Sequence, residues 1–483
     1  MISHSILKKR TLYLLAAVGL AVRLAGGFAQ GTQDMDFWKA YAVFCVQHEV
    51  KDIYGPADEV FARSWRSGKT AKEILAATQT VIPYQSSVSG TVRNYTFPQP
   101  PGYIYSIYLS ALVMSRLDPS FKNDRLFNFV LNLEPLLSSL AIALLLGWFV
   151  GKLTDQGTGA AAGMVYWLNP LVFLNAPIQG FRDPLCALFI LLSVCALHQK
   201  KLAFAYVCLV ACFMTKPQGV VVAPLILCVG LAEHDWRRNM TAALAACAAG
   251  VVLCLPFILQ GRSISMLQGV STTLGTSNDL SRQAMNIWWP VQYALNAVDL
   301  VRSGVPAWAA WAGRDWRVFT PYSIARITEA TGVNLRLVAT GLFALFTAAN
   351  IYWCLRAVRV DRNRLFLFAA LQVYGYFMLA GSVHNNHYFI LVPLLTAACA
   401  FKVIPERYYA TVCLVFFLQD GIFYGLGRDS FFGLRRDNNY ITLILSHLYL
   451  SWTTLLLAFA NLALFTGLCR GAFSGGPTAS RSA

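Results

Sequence analysis

Charged residues are scarce in this sequence. Asp, Glu, Lys and Arg together make up 13% of its 483 residues, whereas a soluble domain contains about 25%. Hydrophobic residues make up 57% and occur in runs near the length of about 20 residues that crosses a bilayer core. A soluble fold of this size could not bury so much apolar surface. The sequence therefore excludes a large soluble domain and predicts an all-α polytopic membrane protein.

Acidic residues are rarer than basic ones, 23 against 39, and the net charge is +16. In a soluble protein this imbalance would indicate nucleic acid, but here the basic residues lie mostly in short connections between apolar runs. We therefore expect them to set membrane topology and expect no nucleic-acid partner. The 12 cysteines include no CxxC pair and no metal-like pairing with histidine, so no disulfide framework is predicted. An internal repeat, as expected of many transporters, is also missing.

The apolar runs predict about 12 spanning helices, and the run after Lys8-Lys9-Arg10 is interpreted as an uncleaved first helix. The segments are residues 11–30, 127–150, 158–176, 183–198, 202–215, 217–231, 240–259, 336–357, 365–381, 388–402, 408–424 and 447–469. Residues 100–116 are apolar enough to span, but they are short, begin with proline and are rich in tyrosine, as interfacial helices are.

Charge favours the interfacial interpretation of residues 100–116. The basic clusters of the short loops then fall on one side, which the positive-inside rule makes the cytoplasm. We therefore predict one integral-membrane domain over residues 1–472, with extracytoplasmic loops at 31–126, which includes juxtamembrane helices, and at 260–335. Shorter loops on the same side are 177–182, 382–387 and 425–446, and the tail 473–483 is expected to be disordered.

Two carboxylates, Asp34 and Asp36, directly follow the first predicted helix. Such a pair can hold a divalent cation, or one carboxylate can act as a general base while the other adjusts its pKa. The alternative is structural, with Asp34 capping the next helix and Asp36 in its first turn.

Lys216 lies within an apolar stretch, where a membrane makes a charge costly, so it is a candidate functional residue unless it extends to the interface. Arg182 and Asp183 occur together at the mouth of a predicted helix. They either pair with each other or bind an anionic group and brace a catalytic acid.

Two further pairs lie in predicted extracytoplasmic loops. His384 and His387 precede a helix without further metal ligands, which favours a phosphate or sugar contact over a metal. Trp288 and Trp289 belong either to an aromatic belt or to a platform for sugar and lipid.

Taken in order, these segments resemble the GT-C superfamily of membrane glycosyltransferases, most closely the bacterial relatives of the GPI mannosyltransferases. Residues 32–54 are similar to the family's DxD-containing first loop, and residues 97–101 to its Tyr-Pro-Pro element. Residues 168–224 resemble the family's region in which an Asn-Pro helix leads to a helix that ends in Lys-Pro-Gln. Residues 286–289 resemble its Asn-Leu-Trp-Trp element, and residues 384–393 resemble its His-Glu-Arg-Tyr segment. The chain departs from the pattern in the spacing of residues 179–183 and in having Asn385-Asn386-His387 after His384.

The resemblance implies transfer of a hexose, mannose first, from a polyprenyl phosphate to an acceptor hydroxyl of a glycan, glycolipid or protein, with inversion. The expected location is a bacterial inner membrane, with the active site facing outward. Asp34 would be the base and Asp36 its support. The donor phosphate would contact Lys216, Arg182 and His384, and the substrate would contact Asp183, Gln179, Trp288, Trp289 and His387. No cofactor is expected, apart from a divalent cation that Asp34 and Asp36 can hold. The alternatives are a lipid-linked glycan transporter, a glycan ligase of the same fold and a noncatalytic subunit.

Overall fold

The computed structural model describes residues 9–32, 34–47, 50–54, 62–63, 80–81, 99–275, 279–425, 444 and 447–474. Within these residues the only strands are a parallel pair of two residues each, β1 (Ala62–Arg63) and β2 (Thr80–Val81). All other regular elements there are helical, so the predicted all-α fold is confirmed. Several predicted segments lie largely outside these residues. They are residues 55–98 of the first long loop apart from the two strands, residues 426–446 of the last loop apart from residue 444, and residues 475–483 of the tail.

Among its described residues, the first half of the chain contains ten α-helices and three short 3-10 or π-helical turns. The α-helices are α1 (Lys9–Gly26), α2 (Asp34–Gln47), α3 (Pro101–Leu117), α4 (Asp124–Leu153), α5 (Gln156–Trp167), α6 (Pro170–Phe173), α7 (Asp183–His198), α8 (Leu202–Thr215), α9 (Ala223–Glu233) and α10 (Trp236–Leu259). The turns are a 3-10 helix at Val50–Tyr54, a π-helical turn at Leu174–Ile178 and a 3-10 helix at Pro217–Val222.

In the second half, the structure describes nine complete α-helices and two 3-10 turns, with further helical residues at 444 and 447–449. The α-helices are α11 (Ser263–Gly275), α12 (Trp288–Arg302), α13 (Ala307–Trp311), α14 (Ile324–Thr331), α15 (Leu335–Ala357), α16 (Arg364–Leu379), α17 (Leu391–Ala400), α18 (Glu406–Tyr424) and α19 (Thr453–Phe473). The 3-10 turns are Trp316–Phe319 and Asn385–Tyr388.

Four helices of the described chain, α4, α10, α15 and α19, are long and apolar enough to cross a membrane. A fifth span results if α5 and the segment Pro170–Ile178 are counted together, although they are bent by 48°. Each of the 12 predicted apolar segments coincides with a helix or with two consecutive ones. The number of helices that cross the membrane beyond these five stays a prediction.

The bundle is centred on α16 and α17. All ten residues of α17 and 13 residues of α16 are buried. By contrast, α10 and α15 expose large apolar side chains such as Val252, Leu259 and Leu345. Exposed apolar surface of this extent is stable only against another apolar phase, so α10 and α15 form the lipid-facing rim of the bundle.

Residues 100–116 form α3, which packs beside α2 and the first turns of α4. Ile104 of α3, Trp38 of α2 and Phe127 of α4 share one buried cluster. The start of α3 abuts the end of α8, where a Cβ at Gly102 would lie 2.6 Å from the Met214 carbonyl oxygen. The segment thus packs against the ends of α8 and α10, where the Tyr105 hydroxyl donates to the Leu253 carbonyl at 2.8 Å.

The basic loops meet at one end of the bundle, which we call the Arg362 end. Arg362 donates to both carboxylate oxygens of Glu233, at 2.7 and 2.6 Å, and to the carbonyls of Leu197 and His198, at 2.8 and 2.6 Å. The His198 ring contacts Phe149 near the end of α4 and Phe401 after α17. The loops that follow α4, α7, α9, α15 and α17 therefore share this end.

The other loops meet at the opposite end, which we call the site end. The Thr32 amide donates to the Gln179 carbonyl at 2.9 Å, and the Gln179 side chain donates to the Gly425 carbonyl at 3.2 Å. The Ser382 hydroxyl donates to the Asp279 carbonyl at 2.7 Å. The grouping of loops into two sets, which charge alone predicted, is thus reproduced by the contacts among the described residues.

We expect Arg362→Ala to destabilise the protein by about 2 kcal/mol, since hydrogen bonds to charged groups contribute roughly 1.5–3 kcal/mol. The substitution removes the contacts to Glu233 and to two helix-terminal carbonyls. The measurement is the thermal unfolding midpoint in detergent. Arg359→Ala, an exposed cation in the same loop, is the matched control. An equal decrease of the unfolding midpoint in both variants would contradict a specific role of Arg362 in stability.

Candidate functional site

Asp34 is the first residue of α2, and two glycines place it at the site end. Gly31 has a φ of +70°, and a Cβ there would lie 2.2 Å from the Met35 Cγ; Gly180 has a φ of +75°, and its Cβ would lie 2.6 Å from the Met35 sulfur. Only glycine adopts these conformations readily. Met35 thus fills the space between the two loops, and Asp34 is brought near the start of α7.

Lys216 forms an ion pair with Asp183 at the start of α7. The side chains are 11% and 4% exposed, so the pair is largely withdrawn from water. The second carboxylate oxygen of Asp183 accepts a hydrogen bond of 2.9 Å from the Asn386 amide. Lys216 has extended backbone between α8 and the 3-10 turn that starts at Pro217, so the break in the helix is what presents this ammonium to Asp183.

Arg182 pairs with a different carboxylate. Its guanidinium donates to the Glu134 carboxylate at 2.9 Å and to the Ser106 hydroxyl at 2.8 Å, and it lies 5.7 Å from the Tyr103 ring centre. The Ser138 hydroxyl donates to the other Glu134 oxygen at 3.1 Å. Of the two alternatives for Arg182 and Asp183, mutual pairing does not occur, because Arg182 pairs with Glu134 and Asp183 with Lys216.

The loop carrying His384 is joined to the segment before α12. The Arg282 amide donates to the Val383 carbonyl at 3.1 Å, and His384 forms bridges with Arg282 and Gln283. Arg282 is partly exposed and forms no ion pair within the described residues. These contacts bring Arg282, which belongs to the second long loop, to the site. About 100 residues of sequence separate Arg282 from His384.

A buried polar network supports the turn that carries the histidines. The Asn385 amide lies 3.4 Å from both the Gln419 carbonyl and an Asp420 carboxylate oxygen, and the Gln419 amide donates to the Asn385 side-chain oxygen. Asn461 of α19 donates to the Gln419 side chain at 2.8 Å. Helices α18 and α19 therefore hold the turn in place from behind, and Asn386 of the same turn reaches Asp183.

Asp34 is exposed and makes no hydrogen bond or ion pair with the described side chains. Although solvent reaches Asp34, the protein atoms packed around it disfavour the charged form and raise the pKa of the carboxyl above its usual range. The nearby Lys216 and Arg282 cations lower the pKa, and the Asp183 carboxylate raises it. The accessible carboxylate is thus more basic than an ordinary aspartate.

The pKa values of the two histidines, His384 and His387, are lowered rather than raised. Burial, with Arg282 and Lys216 nearby, lowers the pKa of His384 to about 3. Burial and the neighbouring His384 hold the pKa of His387 well below its usual value. Both rings are neutral near pH 7, so they offer hydrogen bonds and no positive charge.

The remaining predicted residues have mostly structural contacts. Gln179 is buried and links the loop before α2 to Gly425. Gln218 donates to the His387 Nε2 atom at 3.1 Å. Trp288 and Trp289 are only 6% and 1% exposed, and the Trp288 indole donates to the Leu379 carbonyl at 2.8 Å. Both indoles pack inside the protein, and a role for them in binding the substrate stays a prediction.

Comparison with models of known protein families and with curated protein sequences finds no match to this chain.

Three site residues escaped sequence reasoning. Glu134 lies within the long apolar helix α4, and an acid in such a segment is a signal in itself. Arg282 and Asn386 carry no comparable signal, because both lie in polar loops where such residues are common. Only the folded chain brings them to Asp183 and Asp34.

The described residues contain no group of three or more His, Cys, Asp or Glu side chains that could hold a metal ion. The side chain of Asp36, the predicted partner of Asp34, lies outside the described part of the structure. Whether this acidic pair binds a divalent cation stays a prediction.

We expect Lys216→Met to destabilise the protein by about 3–5 kcal/mol, as is typical when one partner of a buried ion pair is removed. The loss leaves the Asp183 carboxylate buried, with the hydrogen bond from Asn386 on its other oxygen. The measurement is the thermal unfolding midpoint in detergent.

The double variant Asp183→Asn/Lys216→Met is the control, since it removes both charges together. It should recover most of the lost stability, because no unpaired charge remains. A double variant as unstable as Lys216→Met would show that the ion pair is not the cause.

Proposed function

We propose that this protein is a glycosyltransferase that moves a hexose from a polyprenyl phosphate to an acceptor hydroxyl, with inversion. The observation that carries the proposal is the placement of Asp34, an accessible carboxylate of raised pKa beside Lys216 and Arg282 at one end of an apolar helical bundle. A base and cations at a membrane boundary suit a donor that combines a lipid tail, a phosphate and a sugar.

In the proposed reaction Asp34 takes the proton of the acceptor hydroxyl. The acceptor oxygen forms a bond to the anomeric carbon while the bond from that carbon to the phosphate oxygen breaks, and the electron pair leaves with the phosphate. A general base works best with a pKa near the operating pH. The protein atoms packed around Asp34 shift its pKa in this direction.

The donor phosphate is assigned first to Arg282. Lys216 and Arg182 already pair with Asp183 and Glu134, so each of them adds little net charge to the pocket. Arg282 has no carboxylate partner within the described residues, and guanidinium groups bind phosphate with two parallel hydrogen bonds. Neutral His384, joined to Arg282 through the backbone, supplies a hydrogen bond.

The position of the charges favours an enzyme over a transporter. Asp34 and Asp183 are the first residues of α2 and α7, and Lys216 directly follows α8, so the cluster lies at helix ends. Transporters of lipid-linked substrates place their sites near the bilayer midplane. A cluster at the helix ends is suited to a reaction at the aqueous boundary.

By the positive-inside rule, the basic loops support a cytoplasmic location of the Arg362 end. The site end then faces outward, which in a bacterium is the periplasmic or outer side of the inner membrane. Mannose is the first sugar to test, and the acceptor is a glycan, a glycolipid or a protein.

The test is transfer of labelled sugar from a panel of polyprenyl-phosphate hexoses by the full chain in right-side-out vesicles, with acceptor outside. Asp34→Asn should reduce transfer by about 10²–10⁴-fold, the usual contribution of a general base. Arg282→Gln should raise the KM for the donor. Adding a chelator separates a metal-dependent reaction from one that needs only the base.

Asp235→Asn is the matched control, because Asp235 caps α10 at the Arg362 end and asparagine caps a helix equally well. It should leave transfer unchanged. Full activity of Asp34→Asn would refute the assignment of the base, and no transfer from any donor would favour the transporter or scaffold alternatives.

The pH dependence of kcat/KM provides a second prediction. Because Asp34 must be deprotonated to act, and its pKa is raised, activity should fall on acidification at a pH above the ordinary carboxyl range of about 4. His384→Gln should keep this acidic limb, since the pKa of His384 is about 3. A limb that disappears in His384→Gln would assign it to the histidine instead.

A further inference from the structure

Helix α1 contacts the bundle mainly through its second half. Arg23 lies between the Trp167 and Phe173 rings, with its guanidinium carbon 3.6 and 4.1 Å from their centres. A Cβ at Gly19 would lie 2.3 Å from the Trp167 indole nitrogen, and one at Gly26 would lie 3.1 Å from Ile178. The first half of α1, toward the Arg362 end, stands further from its neighbours.

This separation leaves a groove of about 780 Å³ between α1, α4 and α5. Leu20 and Ala17 line it from α1, and Leu140 and Leu144 line it from α4. The polar side chains of the lining, Tyr13, Lys152 and Gln156, all belong to the Arg362 end of these helices. The groove is therefore apolar along its length and polar at one end.

The groove has the length of one bilayer leaflet. It runs along α4 from Leu140 to Lys152, which at 1.5 Å per residue is about 18 Å. Half of a hydrocarbon core is about 15 Å. An acyl chain in this groove would extend from the headgroup level to the middle of the membrane.

The inner end of the groove is closed by an indole. Trp167 lines it there and donates from its indole nitrogen to the Ala16 carbonyl at 3.2 Å, while the Arg23 guanidinium lies over its ring. A chain that enters from the Arg362 end cannot continue past Trp167 to the site end. The groove is thus separate from the proposed catalytic pocket.

The open end carries the charge that an anionic headgroup would need. The Lys152 ammonium is exposed and lies 5.5 Å from the Trp148 ring centre. Arg10, also exposed, precedes the lining residues Leu12 and Tyr13 by less than one helical turn. Indoles and cations at this depth are typical of side chains that contact lipid headgroups.

We propose that this groove binds one phospholipid of the cytoplasmic leaflet, with an acyl chain between α1, α4 and α5 and an anionic headgroup at Lys152. The lipid fills the space that α1 leaves open and fixes the first half of α1 against the bundle. The polyprenyl tail of a glycosyl donor is a poorer fit, since the groove opens at the end opposite to Asp34 and is closed toward it.

The test uses the full chain in detergent, depleted of lipid and then titrated with phosphatidylglycerol or phosphatidylcholine, with bound lipid counted by native mass spectrometry. Phosphatidylglycerol should bind more tightly, and Lys152→Gln should weaken its binding about fivefold, the effect of one cation near the membrane surface. Lys201→Gln, a cation at the same end outside the groove, should leave binding unchanged.

Filling the groove provides the second arm. Ala17→Phe should abolish the retained lipid, whereas Val18→Phe, at the neighbouring exposed position outside the lining, should not. A phosphatidylglycerol with a photoreactive acyl chain should crosslink wild-type protein within residues 140–152 or α1, a readout that does not depend on any variant folding.

Three results would overturn the proposal: equal binding of both phospholipids, retention of lipid by Ala17→Phe, or crosslinks elsewhere. Displacement of the lipid by polyprenyl phosphate at lower concentration would also refute it, by assigning the groove to the donor tail. None of these outcomes tests the assignment of Asp34 as the base, because the sugar-transfer assay does not measure the lipid bound at the Arg362 end.

Discussion

The ion pair between Lys216 and Asp183 is the interaction on which the site depends. An isolated charge within an apolar bundle is strongly unfavourable, so each group needs the other. Lys216 follows α8, Asp183 begins α7, and Asn386 adds a hydrogen bond from the turn before α17. One buried carboxylate thus joins three parts of the chain and fixes the relative position of their ends.

The second ion pair, Arg182 with Glu134, attaches the same loop to α4. Since Arg182 and Asp183 are adjacent, the two pairs hold the start of α7 from two directions. Asp34 approaches this fixed point through the loops at Gly31 and Gly180. Its carboxylate is left without a hydrogen-bond partner among the described side chains, which distinguishes it from Asp183 and Glu134. The neutralised pairs provide the framework, and Asp34 and Arg282 are the groups left available for chemistry.

The two ends of the bundle satisfy their polar groups with different hydrogen-bond arrangements. At the Arg362 end, one guanidinium satisfies Glu233 and two carbonyls at the end of α7. At the site end, the 3-10 turn at Asn385–Tyr388 is held by side-chain amides from α18 and α19. The first arrangement is closed, whereas the second leaves Asp34 accessible. This difference is consistent with a structural role for one end and a functional role for the other.

The sequence by itself determined the helical class, the positions of the apolar helices and the division of the loops into two sets. These follow from hydrophobicity and charge, which act locally and along the whole chain. The sequence also identified Asp34, Asp183 and Lys216 as candidate site residues, because charged residues next to apolar segments are easily recognised. The tertiary structure alone decided how the charges pair, that Trp288 and Trp289 are buried, and that Arg282 and Asn386 reach the site. Pairing depends on contacts between residues as far apart as Asp183 and Asn386, and no local pattern of residues encodes such a contact.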